Sequence, residues 1–290
     1  CLDVSTGLFR LTEAAGSSEL SEEILRIAPS EILLPESSKI DSFFSGIADA
    51  LKGKAITYLD DVNFEHKRCR ERLTGLFKTV SLEGFGCEDM KAGVCAAGAL
   101  VFYLRETQKQ SAEHFLSIET YTIDRYLLID ETSCRNLEIL KNLRTGSRQG
   151  TLLAVLDRTV TPMGGRLMRR WLGYPLLDRD EIVSRLDAVE EAKNDIQARR
   201  GIRDNLKSVY DLERLGSKIV MGHSNARDLV ALKNSLFALP SIRAGILHFK
   251  AGFFKWNPDL EALSLLADLI DKVVREDAPP VVNEGGLIKS

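Results

Sequence analysis

Residues 128–177 read LIDETSCRNLEILKNLRTGSRQGTLLAVLDRTVTPMGGRLMRRWLGYPLL. Apolar residues recur there at helical spacing, and two glycine-containing breaks, Gly146–Gly150 and Gly164-Gly165, interrupt them. Between residues 141 and 170 stand seven basic residues, Lys141, Arg144, Arg148, Arg158, Arg166, Arg169 and Arg170, against one acid, Asp157. No nucleophile and base stand at a spacing that proposes catalysis. The stretch therefore reads as a structural junction. Its basic surplus can attract DNA phosphates, pair with acids of another domain, or face solvent. No aromatic residues are interleaved for base stacking, and the adjoining Trp171 is expected to fill a core.

Downstream the helix period continues. Asp178 with Glu181 has the form of a capping box, and Ile182, Leu186 and Val189 follow. Leu212, Leu215 and Ile219 mark the next helix. Leu229, Leu232 and Leu236 mark another, expected to stop near Pro240. Leu260, Leu263, Leu266, Leu269, Ile270 and Val273 mark the last, expected to end at Pro279-Pro280. Short connections between such segments are those of a packed helical array.

Upstream the texture is different. Leu2-Asp3-Val4 and Leu8–Leu11 flank Ser5-Thr6-Gly7 as a hairpin. A helix is expected over Leu20, Ile24, Leu25 and Ala28 with caps at Ser17-Ser18, stopped by Pro29. A short buried strand is expected at 31–34, a helix stripe over Ile40, Phe43, Phe44, Ile47 and Leu51, and a strand at Lys54–Tyr58. A charged helix follows over Phe64–Phe77, with Leu73, Leu76 and Phe77 inward. A turn at Glu83–Gly86 leads to an Ala- and Gly-rich helix from Met90 to Tyr103, suited to close packing on a sheet. Residues 111–130 hold extended, β-branched segments that read as a crossing into a second domain. Strands alternating with helices imply an α/β layer. The expected architecture is α/β plus all-α, with a first domain at 1–115 and a mainly helical second at 116–290.

At 290 residues and 44% hydrophobic, the chain can bury two cores. A net charge of −3 argues against a wholly basic nucleic-acid binder. The five cysteines, Cys1, Cys69, Cys87, Cys95 and Cys134, form no CxxC or Cys/His cluster, so they propose neither a zinc site nor a disulfide framework. The longest apolar run, 92–104, is shorter than the ~20 residues that span a bilayer. The opening at Cys1 and the close at 283–290 both read as cuts in a longer protein.

Three features could carry chemistry. Asp3-Val-Ser-Thr-Gly7, with Asp60 or Asp61, matches the first strand of ribonuclease-H-like nucleases and phosphotransferases, where carboxylates converge on Mg²⁺. No third acid is identifiable by spacing, and an ordinary hairpin is the simpler reading. Gly146–Thr151 lacks the lysine of a phosphate loop and joins two helices. His66, His114, His223 and His248 are scattered, with no triad spacing. The helix face with Lys67, Arg68, Arg70, Glu71 and Arg72 is either solvated or a docking surface.

Residues of the opening stretch also carry a resemblance. Ile129-Asp130, Thr132, Arg135–Glu138, Asn142-Leu143, Thr151-Leu152, Val155–Asp157, Thr159–Gly164, Arg166, Arg169, Trp171-Leu172 and Pro175 resemble the start of the lever domain of the MutS family of DNA mismatch-repair proteins. Gly84–Gly86, Gly93–Gly98, Tyr103 and Thr107-Gln108 resemble the end of that family's connector domain, which has ribonuclease-H-like topology without nuclease activity. Asp211–Arg214, Pro279-Pro280 and Gly285–Ile288 resemble the lever up to the DNA clamp.

The resemblance implies an internal piece comprising connector and first lever part. The Phe-x-Glu mismatch-reading motif, the clamp and the Walker ATPase are all absent from it. Arg135, Asn136, Glu138, Arg158, Thr161, Arg166 and Arg169 would lie at an inter-domain junction. Gly164 and Gly165 would be a hinge or a tight packing corner, and Arg68, Arg70, Glu71 and Arg72 a surface for MutL. The parent would be a cytoplasmic, nucleoid-associated homodimer with no membrane segment. It would bind mismatched double-stranded DNA and use ATP and Mg²⁺, with no catalytic, cofactor or metal residue in this piece. The alternative is a Mg²⁺-dependent ribonuclease-H-like nuclease or phosphotransferase with a helical appendage. A third reading, an independent all-α adaptor, conflicts with the α/β first half.

Overall fold

The computed structural model describes residues 1–41, 44, 46–108, 114–256, 258–279 and 286–289. The chain divides by packing into two compact units, Cys1–Glu138 and Ile139–Ser290. It is mainly helical with a few short strands.

In the first unit, β1 (Leu2–Asp3) and β2 (Leu8–Leu11) form the expected hairpin, pairing Leu2 with Phe9 and Asp3 with Leu8. Its turn needs φ of +72° at Gly7, which glycine adopts without a Cβ penalty. β5 (Glu119–Thr120) joins β2 in parallel, Arg10 opposite Glu119 and Leu11 opposite Thr120. A separate parallel pair joins β3 (Glu31–Pro35) to β4 (Ala55–Leu59). The segment 116–138, read from sequence as the start of the second domain, packs in the first unit. Ile118 is in its core, and β2 offers an open edge whose backbone groups β5 satisfies.

Helices α1 (Ser17–Ile27), α2 (Ala48–Leu51), α3 (His66–Phe77), α4 (Lys91–Gln108) and α5 (Glu131–Asn136) complete this unit. The core joins Phe9 and Leu11 of β2 to Cys69, Leu73 and Leu76 of α3 and Val94, Ala97 and Val101 of α4. The small residues of α4 serve two neighbours. A Cβ on Gly93 would stand 3.1 Å from Leu11 of β2, and one on Gly98 only 2.4 Å from Cys69 Cβ of α3. The closest approach is thus helix to helix, where the composition had suggested helix to sheet. It is sealed by the Cys69 thiol, which donates to the carbonyls of Asn63 (3.0 Å) and Cys95 (3.2 Å). Burial pushes that thiol up to about 11.

Two local expectations change. Helix α1 is capped at Gly16, not by Ser17 or Ser18, and no side chain caps it. The stripe Ile40–Leu51 is no single helix. A 3₁₀ turn at Glu36–Lys39 and the short α2 divide it, Ile47 is buried, and Ile40 faces solvent. Phe43, residues 111–113, Pro280 and residues 283–285, named in the sequence reading, lie outside the described residues.

The second unit contains α6 (Leu152–Leu156), α7 (Pro162–Gly173), α8 (Arg179–Asn194), α9 (Ile196–Leu206), α10 (Leu212–Val220), α11 (Ala226–Ile246) and α12 (Leu260–Val273). Side-chain oxygens cap each start: Thr151, Thr161, Asp178, Asp195, Asp211, Asn225 and Asp259 each accept a backbone N–H of the first turn. One core gathers Val209 with Leu236, Leu239 and Ile242 of α11, Ala267 of α12 and Met163 of α7. Another joins Ala226 and Ile270 to Val274 and Ala278 beyond α12.

Helix α11 runs through Pro240, where a stop was expected. The ring faces solvent, while Leu236, Leu239 and Ile242 on either side are buried. Tertiary burial outweighs the one lost N–H bond and the steric cost of proline. Helix α12 ends at Val273, well before Pro279, because Val274 turns extended and bridges to Ile288. Trp171 is not fully buried. Its ring carries the Arg185 guanidinium at 3.9 Å and meets the Phe253 edge at 5.8 Å.

Candidate functional site

The site lies in the second unit, in the basic stretch 141–170. The loop before it is ordered by Asn142. Its Oδ1 accepts from the backbone N–H groups of Arg144 (3.0 Å) and Thr145 (3.1 Å), and its own N–H donates to Ser147 O at 2.8 Å. Gly146 and Gly150 take positive φ, +65° and +83°, which turn the chain back toward α6. Thr151 is buried, donates to Arg148 O at 2.7 Å, and accepts from Ala154 N at 3.1 Å. Gly146–Thr151 is therefore a self-hydrogen-bonded turn and helix cap.

Asp157 follows α6. Its Oδ1 accepts from the Thr159 hydroxyl (2.6 Å) and N–H (3.0 Å), and its Oδ2 from Arg148 Nη2 at 2.6 Å. The Thr159 hydroxyl bond is the largest cause holding this carboxyl below its ordinary value of 3.8. Thr161 then caps α7 by accepting from Gly164 N at 3.1 Å, and Pro162 occupies the first turn, where its missing N–H costs nothing.

One turn on, Arg166 is the best-tied side chain of the block. Its Nη1 and Nη2 fork onto Asp211 at 2.8 and 2.6 Å. Its Nε and Nη2 reach Glu213 Oε2 at 2.9 and 2.5 Å. Bidentate geometry suits the planar guanidinium, and Asp211 also caps α10. The bond from Arg166 is the main cause lowering the Asp211 carboxyl.

Between α6 and α7 these residues border an open groove of about 500 Å³. Its rim carries Arg148, Arg166 and Arg169, and its polar wall Asp157, Thr159 and Thr161. A Cβ at Gly165 would meet Thr159 Oγ1 at 3.5 Å and Asp157 Oδ2 at 3.6 Å, ordinary contact distances.

The expected junction residues divide between the two units. Arg135 and Asn136 are exposed on α5 of the first unit. Glu138 closes that unit with φ of +47°. Thr161, Arg166 and Arg169 line the groove in the second. Arg158 is exposed nearby, and its carbonyl accepts from Arg203 at 2.8 Å. Arg169 is exposed and makes no ion pair with the described residues. Gly164 and Gly165 sit inside the first turn of α7, neither with positive φ. A side chain at Gly164 would press Thr161 Oγ1 at 3.0 Å.

On α3, Arg70 Nε reaches Glu88 at 2.8 Å. Arg72 donates to Asn63 at 2.9 and 3.0 Å and covers the Phe102 ring at 4.6 Å. Arg68 pairs with Glu65 at 2.8 Å, and Glu71 is exposed. Two of the four residues proposed for docking thus also hold their own unit together. Glu88 and Asn63 were not picked out from the sequence, and Asp211 and Glu213 stood there only within the Asp211–Arg214 resemblance, not as partners of Arg166.

The nuclease alternative is not supported. Asp3 accepts from the Ser5 N–H and hydroxyl, and Asp60 caps Val62. Asp61 holds the Ser37 backbone and hydroxyl. Asp3 and Asp60 are engaged by their own turns, and Asp61 by Ser37 of the turn after β3. No group of three or more His, Cys, Asp or Glu among the described residues is arranged to hold a metal ion.

Residues 132–290 match the family model of MutS domain III, and residues 1–116 that of MutS domain II. The chain belongs to the MutS family. It is 48% identical to the DNA mismatch repair protein MutS of Desulforapulum autotrophicum over 99% of its length, covering 33% of that relative. For the MutS proteins of Desulfosudis oleivorans and Halothermothrix orenii the identities are 47% and 39%, again over 99% of the chain, covering 33% and 32% of the relatives. The chain thus spans about a third of the length of these MutS relatives. No described helix is long and apolar enough to cross a membrane.

Proposed function

We propose that this chain is the coupling part of a MutS mismatch-recognition protein: a ribonuclease-H-like connector over 1–115 and a helical lever over 116–290, whose opening stretch, 116–138, packs in the connector's unit. Its work is mechanical. In the parent, a cytoplasmic and nucleoid-associated homodimer, ATP and Mg²⁺ would act at a Walker site elsewhere, and mismatched DNA would be gripped by other domains. The lever would carry the nucleotide-dependent change between them. The α3 face with Arg68 and Glu71 would offer MutL a docking surface, framed by Arg70 and Arg72.

The observation that carries this reading is the fourfold tie from Arg166 to Asp211 and Glu213. It joins α7 to α10 across 45 residues of sequence, beside the core that Met163 enters. A packed helical array fastened in this way moves as a body, which suits force transmission. Arg158 and Arg169 keep exposed charges beside the groove, suited to an acidic surface of another domain, where the Arg166 fork is already filled.

The test uses a full-length MutS carrying this segment. Arg166→Ala should leave nucleotide-free mismatch binding within about twofold and slow ATP-triggered release from the mismatch about tenfold, a barrier raised by ~1.4 kcal/mol. Unchanged release would overturn the coupling role. The 290-residue chain alone should bind DNA weakly and lose that binding as salt rises. Sub-micromolar, mismatch-selective binding at physiological salt would contradict the reading.

A further inference from the structure

We propose that Lys233 is a buried ionic pin that clasps the chain beyond α12 back onto the α11–α12 pair, so that helices and returning segment form one mechanical body. Lys233 lies in the first half of α11, and its side chain is only 5% exposed. Its Nζ donates to Asp271 Oδ1 on α12 at 3.0 Å and to the carboxylate of Glu276, three residues past the end of that helix. Burial by itself lowers the ammonium's pKa, and the bonds to Glu276 and Asp271 more than reverse this. One cation therefore holds a helical acid and a non-helical acid together.

Other contacts converge on the same segment. Val274 and Ile288 form an antiparallel bridge. Arg275 N donates to Leu287 O at 2.9 Å, and Lys289 N to Val273 O at 2.8 Å. Lys289 Nζ reaches Asp271 O at 2.5 Å and lies 3.5 Å from Asp271 Oδ1, so Asp271 is shared by a lysine from the helix and one from the returning chain. From the start of α11, Arg227 Nε donates to Ala278 O at 3.1 Å. Ala278 and Val274 are buried against Ala226 and Ile270, with Leu287 beside them.

An apolar side chain of similar volume would fill the position without the cost of taking an ammonium out of water. What only the lysine supplies is a directed contact that selects Glu276 and fixes where the chain leaves the helix. A rotation of α11–α12 would then carry residues 274–278 and 286–289 with it. This deepens the coupling role proposed above, and its test reads the clasp itself, so the two can fail separately.

Hydrogen exchange on the 290-residue chain tests it, comparing the native protein with Glu276→Gln and Lys233→Met. Glu276 lies at the surface, so its variant spares the core. The amides of Arg275 and Lys289 should exchange about tenfold faster in Glu276→Gln, while peptides within α11 and α12 stay within about twofold. Lys233→Met should loosen the same two amides at least as much, even though volume is conserved. Unchanged exchange at Arg275 and Lys289 in Glu276→Gln overturns the proposal. So does equal acceleration throughout α11 and α12 in that variant, which would make the contact general core support. If Lys233→Met does not fold, Glu276→Gln alone decides.

Discussion

Replacing Arg166 with alanine removes four N–H···O contacts at once. Their worth follows from exposure. Fully exposed ion pairs contribute ~0.2–1 kcal/mol, and stranding one member of a buried pair costs ~3–5 kcal/mol. The Arg166 side chain is 30% exposed, Asp211 16% and Glu213 49%, so the tie falls between these limits. Asp211 keeps its cap contact with Arg214 N after the change, which softens the penalty. A loss of about 2 kcal/mol results, or ~4–8 °C in the melting temperature of a unit this size. Trp171 lies on the same helix as Arg166, with Arg185 over its ring, and in a Trp256→Phe background its fluorescence reports whether α7 stays docked. A double-mutant cycle with Asp211→Ala should show most of the coupling, and one with Glu213→Ala less than ~1 kcal/mol. An Arg166→Ala protein melting within about 1 °C of the native chain would refute the reasoning.

Further outcomes follow from the same geometry. The Asp211 carboxyl is lowered in the folded state, so its stabilisation is fully present above its ordinary value of 3.8 and is lost as pH falls below it. Urea midpoints measured from pH 7 down to 2 should therefore lose their sensitivity to Asp211→Asn only at the acid end. Gly98→Ala must displace α3 from α4, at about 1–3 kcal/mol, and should make the Cys69 thiol reactive toward a thiol reagent in the native protein. Pro240→Ala restores an N–H inside α11 without removing a packed ring, and calorimetry should show a gain of about 1–2 kcal/mol. Asn225→Ala dismantles the capping box with Asp228 and should cost about 1 kcal/mol in the same experiment.

Much of the fold was legible because its determinants are local. Asp178 before Glu181 announces a helix start through a contact spanning three residues. The Ser5-Thr6-Gly7 turn sets the β1–β2 hairpin in the same way. What stayed hidden depends on distant partners. Glu119 pairs with Arg10 across more than a hundred residues, and although its β-branched neighbourhood reads as extended, nothing there names β2 as its partner. Pro240 reads as a stop because a local rule cannot weigh the burial of Leu236 and Ile242 on its two sides. The candidate site shows the same division. Its arginines stand out in sequence as a charge block, but which are tied and which remain open depends on Asp157, Asp211 and Glu213. Lys233 gave no signal, since a lone lysine among leucines on a helix reads as solvent-facing.

The most direct test of the coupling account is hydrogen exchange along α7 in a full-length MutS carrying this segment, with mismatched DNA bound and with ATP present or absent. The account predicts that protection of the amides from Arg166 to Trp171 differs between the nucleotide states, and that Arg166→Ala erases the difference. Identical protection in both states, in a protein that still hydrolyses ATP and leaves the mismatch, would contradict it.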